Sequence, residues 1–176
     1  MLAIVSDTHG IDGHRLEGRT LTAVREADRV VHAGDFTTCA VYAAFREEAA
    51  ALTAVAGNND ERALRDRLPS TVTVEWRGLT IVVVHGHEHS ETALSLLARQ
   101  EGADIVVVGH SHKPSLSEDG YVAVNPGSHA DPRQFEPAHA EVLVAGEGYR
   151  VRLRAPGGSV LAEVCREGWS GADQRR

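Results

Sequence analysis

Two runs of the chain, LTIVVVHG at 79–86 and DIVVVGH at 104–110, would be apolar on both faces of an extended strand. Strands of this kind must be covered on both sides, so they belong to a sheet packed between other layers. Helical patterns alternate with the early strands, and later strands alternate apolar with polar residues. We predict an α/β fold, a two-sheet sandwich flanked by helices. The predicted strands are 2–6, 29–34, 52–57, 71–76, 79–86, 104–110, 121–128, a hairpin over 139–155, and 159–165; the predicted helices are 19–27, 39–50 and 90–102.

Length and charge set the general class of protein. The 176 residues suit one domain, expected over 1–165, followed by a polar C-terminal tail at 166–176. A formal net charge of -7 argues against a protein that coats long nucleic acid. The chain shows no apolar run of about 18–20 residues and no signal-peptide pattern at its start. We therefore expect a cytoplasmic location and no membrane partner.

Polar clusters directly follow five of the predicted strands. The carboxyl ends of parallel strands are where ligands bind in α/β sheets, so these clusters are expected to converge on one site. In an extended segment, residues i and i+2 point to the same side, so each His-x-His or Asp-x-His pair can share a target. Carboxylate, imidazole and amide oxygen suit manganese, iron, cobalt, nickel or zinc. The candidate metal ligands are Asp7, His9, Asp35, Asn58, His85, His110 and His112.

Seven ligands are too many for one ion. Two ions about 4 Å apart, bridged by one carboxylate, would use them all, and Asp35 is the candidate bridge. Any single cluster could be an ordinary turn or a surface histidine, but five clusters after five buried strands favour a shared metal site. Of the remaining histidines, His32 is expected in the core or beside the site. His14 and His139 are expected on the surface, while His89 and His129 remain open.

A metallo-β-lactamase type of hydrolase is an alternative, because His85-Gly86-His87-Glu88-His89 looks like that family's histidine signature. However, no Asp lies two residues after the second His. That alternative also leaves Asp7, His9 and Asp35 without a role.

The order and spacing of Asp7-x-His9, Gly34-Asp35, Gly57-Asn58, His85-Gly86-His87 and Gly109-His110-Ser111-His112 resemble the calcineurin-like metallophosphoesterase superfamily. His112-Lys113-Pro114 and Asn125-Pro126-Gly127-Ser128 resemble its compact YfcE-type phosphodiesterase branch. The resemblance implies a two-sheet αββα sandwich with a dinuclear metal centre. It assigns Asp7, His9, Asp35 and His112 to the first ion, and Asp35, Asn58, His85 and His110 to the second.

The expected activity is hydrolysis of small phosphodiesters by metal-activated hydroxide attack on phosphorus. Manganese is the expected metal, with nickel, zinc, iron or cobalt as alternatives. Many relatives carry His directly after the ligand Asn, where this chain has Asn59, and an amide cannot act as a general acid. The catalytic candidates are Asp35, Asn59 and His87, and the substrate-binding candidates are Asn59, His87 and Arg133.

Other functions stay open at this point. Relatives of this fold include a retromer subunit that works as an interaction surface with a degraded site, so a metal-bearing protein scaffold is one alternative. A phosphomonoesterase or a nuclease would use the same chemistry. The expected partner is a small phosphate ester, and the sequence leaves homo-oligomerisation open.

Overall fold

The computed structural model describes residues 1–168, which form two sheets of six and five strands. The first sheet contains, in spatial order, β11 (Val160–Glu167), β10 (Gly148–Arg154), β9 (His139–Ala145), β1 (Leu2–Val5), β2 (Arg29–His32) and β3 (Leu52–Ala54). The second contains β4 (Thr71–Trp76), β5 (Leu79–Val84), β6 (Ile105–Val108), β8 (Tyr121–Asn125) and β7 (Ser115–Asp119). The helices are α1 (Gly18–Glu26), α2 (Cys39–Glu48), α3 (Arg62–Arg65) and α4 (Glu91–Glu101).

Alternating residues of each central strand build different layers. Leu2 and Ile4 of β1 pack in the core between the sheets, while Ala3 and Val5 pack in a second cluster with residues of α1 and α2. In the second sheet, Val82 of β5 packs instead against α4. The layers are therefore helices, sheet, sheet, helix, which confirms the predicted αββα sandwich.

The centre of each sheet is parallel. Strands β1, β2 and β3 run parallel to one another, as do β5, β6 and β8. The remaining pairs, β1 with β9 among them, are antiparallel. The loops that leave these parallel strands at their carboxyl ends carry the predicted ligands. Within residues 1–168, no helix is both long and apolar enough to cross a membrane.

Most predicted elements are present, with three differences. Helix α3 and strand β7 were not predicted, because α3 has only four residues and the β7 sequence SLSED has one large apolar residue. Strand β11 continues to Glu167, beyond the predicted end at 165. Of the expected tail, residues 169–176 lie outside the described part of the chain.

The prediction that His139 lies on the surface is wrong. His139 and Glu141 project from the face of β9 opposite Ala140 and Val142, and both are buried. Helix α1 covers that face, since the Thr20 hydroxyl lies 3.0 Å from His139 Nδ1. The alternating pattern predicts which face of β9 lies toward the core between the sheets, but it does not predict that a helix covers the other face.

Candidate metal centre

The candidate ligands meet where the loops leave five parallel strands. Asp7 and His9 follow β1, Asp35 follows β2 and Asn58 follows β3. From the second sheet, His85 follows β5 directly, while His110 and His112 follow β6. The expectation that these segments converge on one site is therefore met by the fold.

One group of potential ligands consists of Asp7, His9 and His112, whose ligand atoms lie within 4.8 Å of one another. His112 Nε2 lies 3.5 Å from Asp7 Oδ1, and His9 Nε2 lies 4.0 Å from the same oxygen. The two imidazole rings are stacked with their centroids 4.9 Å apart. Two nitrogens and one carboxylate oxygen thus face a common point.

A second group consists of Asp7, Asp35 and His85 and also lies within 4.8 Å. His85 Nε2 is 3.3 Å from Asp35 Oδ2 and 3.0 Å from Asn58 Oδ1. Asp35 Oδ2 is also 3.4 Å from His9 Nε2, which belongs to the first group. A single carboxylate oxygen of Asp35 is therefore close to a histidine nitrogen of each group.

His110 occupies the rim of this centre. Its backbone N–H donates to both carboxylate oxygens of Asp7, at 3.1 and 2.9 Å. Its exposed ring lies edge-on to His85 with a centroid separation of 5.3 Å, outside both compact groups. Of the seven predicted ligands, the structure brings six into direct proximity and places His110 beside them.

Two buried nitrogens test whether the residues suit a metal ion. His9 Nε2 and His112 Nε2 are buried and make no hydrogen bond with any group in residues 1–168. Buried polar atoms are rarely left unsatisfied, and an ion coordinated by both nitrogens would satisfy them. A divalent cation therefore fits the arrangement.

Backbone carbonyls orient two of the histidines. His112 Nδ1 donates to the Asp131 carbonyl, and His85 Nδ1 donates to the Ala33 carbonyl at 2.7 Å. A neutral histidine that keeps its proton on Nδ1 presents a free lone pair on Nε2, as metal ligation requires. This contact from the second nitrogen is the usual way in which proteins orient metal-binding imidazoles.

The electrostatics of the centre favour a negatively charged Asp35. Burial raises the pKa of Asp35, but hydrogen bonds and the charge of His85, together with two bonds from Asn59, outweigh burial and lower it. Burial is also the main reason that the pKa values of His9 and His110 are lowered. These shifts favour ionised carboxylate and neutral imidazole, the forms that bind metal ions. The opposite holds at two other candidates: burial raises the pKa of Asp7, and at His85 burial lowers the pKa but the hydrogen bond and charge of Asp35 outweigh it and raise it.

The backbone of the ligand loops adopts left-handed conformations that are unusual for residues other than glycine. Five candidate ligands have positive φ angles, which are 54° at Asp7, 45° at His9, 59° at Asp35, 69° at His110 and 59° at His112. Such conformations cost about 1–3 kcal/mol each and cluster at functional sites. Backbone hydrogen bonds hold the loops together, including Asp7 N–H to the Gly34 carbonyl at 3.0 Å.

Two glycines permit close contact between the ligand loops. A Cβ atom on Gly57 would lie 2.1 Å from Asp35 Oδ1, and one on Gly109 would lie 2.1 Å from Ser6 Oγ. Neither distance is compatible with a side chain. The glycines that precede Asn58 and His110 in the motifs are thus required by packing against the carboxylate-bearing loops.

The predicted substrate residues lie around this centre. Asn59 donates its backbone N–H and its side-chain amide to the two oxygens of Asp35, each at 2.7 Å. The His87 ring lies 5.3 Å from that of His85 and 6.1 Å from that of His110, measured between centroids. Arg133 is largely exposed, with Nε 3.9 Å from Asp131 Oδ2. Asn59 and His87 therefore border the ligands, whereas the contacts of Arg133 are to the loop that orients His112.

Several supporting residues were not identified from the sequence. Ser6 Oγ donates to Asp7 Oδ2 at 2.6 Å, and Ser128 Oγ donates to the Asp7 carbonyl at 2.7 Å. The buried carboxylate of Asp60 accepts from the backbone N–H groups of Thr37 and Gly57, at 2.8 and 2.7 Å. Asp60 directly follows the candidate residues Asn58 and Asn59, so its role could have been predicted from its position in the sequence. Nothing in the sequence distinguishes Ser6.

His32 and His129, which lie outside the ligand set, have structural partners, whereas His89 Nδ1 is buried and makes no hydrogen bond within residues 1–168. His32 is fully buried next to the site, accepts from Gly34 N–H at 3.2 Å and lies 2.8 Å from Thr8 Oγ1. This confirms the expectation for His32. His129 Nδ1 lies 2.9 Å from Thr20 Oγ1, on the side of α1, so it belongs with His139 rather than with the metal centre.

Comparison with known proteins agrees with this site. The sequence profile of the calcineurin-like phosphoesterase superfamily domain matches residues 1–147. The chain belongs to this superfamily.

Its relatives include metallophosphoesterases of similar length. A probable metallophosphoesterase of Methanothermobacter thermautotrophicus is 28% identical over 94% of this chain and 96% of its own length. The probable metallophosphoesterase YsnB of Bacillus subtilis is 33% identical, covering 92% and 94% of the two chains. Phosphodiesterase MJ0936 of Methanocaldococcus jannaschii is 29% identical over 72% of this chain and 82% of its own.

Solved structures share the fold. A conserved uncharacterized protein of Streptococcus pneumoniae, a predicted phosphoesterase, superposes with a TM-score of 0.72 at 25% identity, covering 94% of this chain and 97% of that one. Vps29 of Chaetomium thermophilum superposes with a TM-score of 0.77 at 19% identity, covering 95% and 98%. The second likeness concerns the fold alone.

Proposed function

We propose that this superfamily member is a dinuclear-metal phosphodiesterase that hydrolyses small phosphodiesters. The observation that carries the proposal is the position of Asp35 Oδ2, which lies 3.4 Å from His9 Nε2 and 3.3 Å from His85 Nε2. One carboxylate between two histidine-bearing groups is the arrangement expected of a bridging ligand. The name of the relative Phosphodiesterase MJ0936 supports the choice of a diester.

In this proposal each ion takes four ligands from the chain. Asp7, His9, Asp35 and His112 hold the first, and Asp35, Asn58, His85 and His110 hold the second. The exposed ring of His110 must turn toward the second ion, and it is not confined by burial. When bound, divalent ions lower the pKa of a coordinated water and neutralise the phosphoryl oxygens.

The residues of the chain have separate tasks. Asp35 stays ionised because its hydrogen bonds favour the charged form, and Ser6 and Ser128 fix the position of Asp7. Asn59 holds Asp35 and can donate a hydrogen bond, but not a proton, to a departing oxygen. His87, on the rim, is the proposed proton donor to the leaving group.

Removal of the bridging carboxylate tests the proposal. The wild-type protein, stripped with chelator and reloaded with Mn²⁺, is expected to hydrolyse bis-p-nitrophenyl phosphate, with nickel, cobalt, zinc, iron and magnesium assayed alongside. Asp35→Ala is expected to abolish this activity, while the matched control Asp66→Ala, at an exposed carboxylate of α3's C-terminal end, keeps it. Metal-independent hydrolysis, or full activity in Asp35→Ala, would contradict the proposal.

A substitution at Asn59 tests the leaving-group step separately. Asn59→His introduces a group that can give up a proton, so turnover of esters with poor leaving groups should rise more than turnover of nitrophenyl esters. Equal effects on both types of ester would show that the side chain at position 59 does not act on the leaving group.

The scaffold alternative has less support. Vps29 of Schizosaccharomyces pombe is 30% identical, but over only 62% of this chain and 60% of its own length, and the Vps29 structure at 19% identity speaks to the fold alone. The scaffold alternative comes from relatives with a degraded site, whereas every candidate ligand position in this chain carries a side chain able to bind metal.

A further inference from the structure

A cavity of about 350 Å³ lies next to the candidate metal centre and is lined by His9, Ile11, Asp12, Gly13 and Arg15. Of these five residues, only His9 has a role in the proposed function. This is at the lower end of the range of ligand pockets, about 300–1,000 Å³. Because the ligand His9 forms part of its wall, a molecule held at the metal centre can extend directly into it.

Ile11 is the most exposed of the large apolar residues in the described chain, with 72% of its surface accessible. An isoleucine left in water forgoes the favourable free energy of burying its apolar surface. A contact that covers this side chain would therefore be favourable. Its position at the edge of a metal site makes a bound substrate the fitting source of that contact.

The loop that carries Ile11 is held in a defined conformation. Thr38 Oγ1 donates to the Ile11 carbonyl at 2.7 Å, and Gly10 N–H donates to the Phe36 carbonyl at 3.2 Å. A side chain on Gly10 would come within 2.4 Å of the Gly13 carbonyl oxygen, so the turn is tightly closed. Ile11 is thus presented without the entropy cost of ordering a mobile loop.

The charges around the cavity do not suit a second anion. The Arg15 guanidinium donates through one nitrogen to the carbonyls of Thr8 and His9, at 2.9 and 3.1 Å, which fixes it as a brace for the ligand loop. Asp12 places a carboxylate in the same wall. With one charge of each sign, the wall has no net charge, and its distinctive feature is the apolar side chain.

We propose that this cavity binds an apolar ester substituent of the substrate, preferentially an aromatic one, with Ile11 as a specificity-determining residue. The inference rests on the proposed phosphodiesterase function and adds the class of diester: one whose ester group is apolar and larger than a methyl group. Ile11 acts by contact with that group and takes no part in the chemical step.

The test compares two diesters that release the same leaving group. Bis-p-nitrophenyl phosphate and methyl p-nitrophenyl phosphate both yield nitrophenolate, but only the first carries a second aryl group. In the Mn²⁺-loaded protein, Ile11→Ala is expected to lower the ratio of kcat/KM for the aryl over the methyl diester by about 5- to 10-fold, from loss of part of the isoleucine contact. The control is Leu96→Ala on α4, which removes a side chain that is 54% exposed and is expected to keep the wild-type ratio.

Binding without turnover separates this inference from the proposed function. Phenylphosphonate and methylphosphonate are not hydrolysed, and calorimetry on the Mn²⁺-loaded protein gives their Kd values. A wild-type preference for the phenyl compound that falls in Ile11→Ala supports the inference. If the wild type hydrolyses both diesters, and Ile11→Ala keeps the wild-type kcat/KM ratio for the diesters and the wild-type Kd ratio for the phosphonates, the inference is overturned and the proposed function stands. If neither diester is hydrolysed and neither phosphonate binds, both fail.

Discussion

The contact between Gly57 and Asp35 makes a single methyl group a probe of the metal centre. In Gly57→Ala, the new Cβ would lie 2.1 Å from Asp35 Oδ1 and 2.3 Å from the Asp35 backbone nitrogen, whereas ordinary contact begins near 3.4 Å. Asp35 must therefore move by more than an ångström. That shift disrupts its 2.7 Å hydrogen bond from Asn59 N–H and the placement of Oδ2 between His9 and His85.

Two effects of Gly57→Ala are expected. Overpacking of this kind costs about 1–3 kcal/mol, which lowers Tm by about 2–12 °C in a protein of this size. Displacement of the proposed bridging ligand should weaken Mn²⁺ binding by about 10- to 100-fold, the usual effect of disturbing the support of a metal ligand. Thermal unfolding of the metal-free protein and calorimetric titration with Mn²⁺ measure the two effects separately.

A matched glycine substitution provides the control. A Cβ on Gly157, in the turn between β10 and β11, would meet no atom within 4 Å. Gly157→Ala should bind Mn²⁺ as the wild type does and change the free energy of unfolding by no more than about 1 kcal/mol. If Gly57→Ala binds Mn²⁺ with the wild-type Kd, Asp35 is not the residue through which the ions are held, and the reasoning fails.

Three further predictions follow from the structure. Mn²⁺ at 100 times its Kd should raise the free energy of unfolding by about 2.7 kcal/mol for each ion bound, relative to the chelated protein and measured by thermal unfolding, and Asp35→Ala should show no such rise. Burial raises the pKa of Glu141, but hydrogen bonds from His139 and Arg19 outweigh it and lower the pKa to about 2, from 4.5, so its stabilisation is present above pH 4.5 and is lost as the pH falls toward 2. Urea unfolding at pH 6 and pH 3 should therefore show a loss of up to about 2 kcal/mol in the wild type that is smaller in Glu141→Gln. In the metal-free protein, His110→Gly should be more stable than His110→Ala by about 1 kcal/mol because φ is 69° there, whereas at His87, which is not among the positive-φ residues, Ala should be the more stable.

The sequence predicted the site more completely than the surroundings of the site. The candidate ligands could be found because each follows a predicted strand, most of them buried β-branched runs, so their common position depended only on the parallel order of the strands. The helix predicted over 90–102 is present as α4, and the Ser90 side chain caps it by accepting from Ala93 N–H at 3.2 Å. Strand β7 could not be predicted, because an edge strand with a single apolar contact, Leu116, lacks the period-two pattern.

Contacts between segments distant in sequence account for the rest. His139 is buried because α1 crosses the outer face of β9, which no local pattern reveals. The cavity beside His9 depends on how Gly10 and Thr38 close a loop, which involves a contact between segments distant in sequence. Periodicity predicts which face of a strand is apolar, but tertiary packing decides which polar faces are also buried.

The strained ligand loops connect the stability of the fold to its proposed chemistry. Five ligands adopt left-handed conformations, and at about 1–3 kcal/mol each their total cost is on the order of 5 kcal/mol or more. That is comparable to the whole stability of a typical domain, about 5–15 kcal/mol, so burial of the strands preceding these loops must offset it. The strands β1, β2 and β6 are almost wholly buried, and the five positive-φ candidate ligands lie in the loops that directly follow them. The uninterrupted apolar runs therefore stabilise the candidate metal centre, since a less buried sheet could not hold Asp35 and its neighbours in conformations that the unfolded chain avoids.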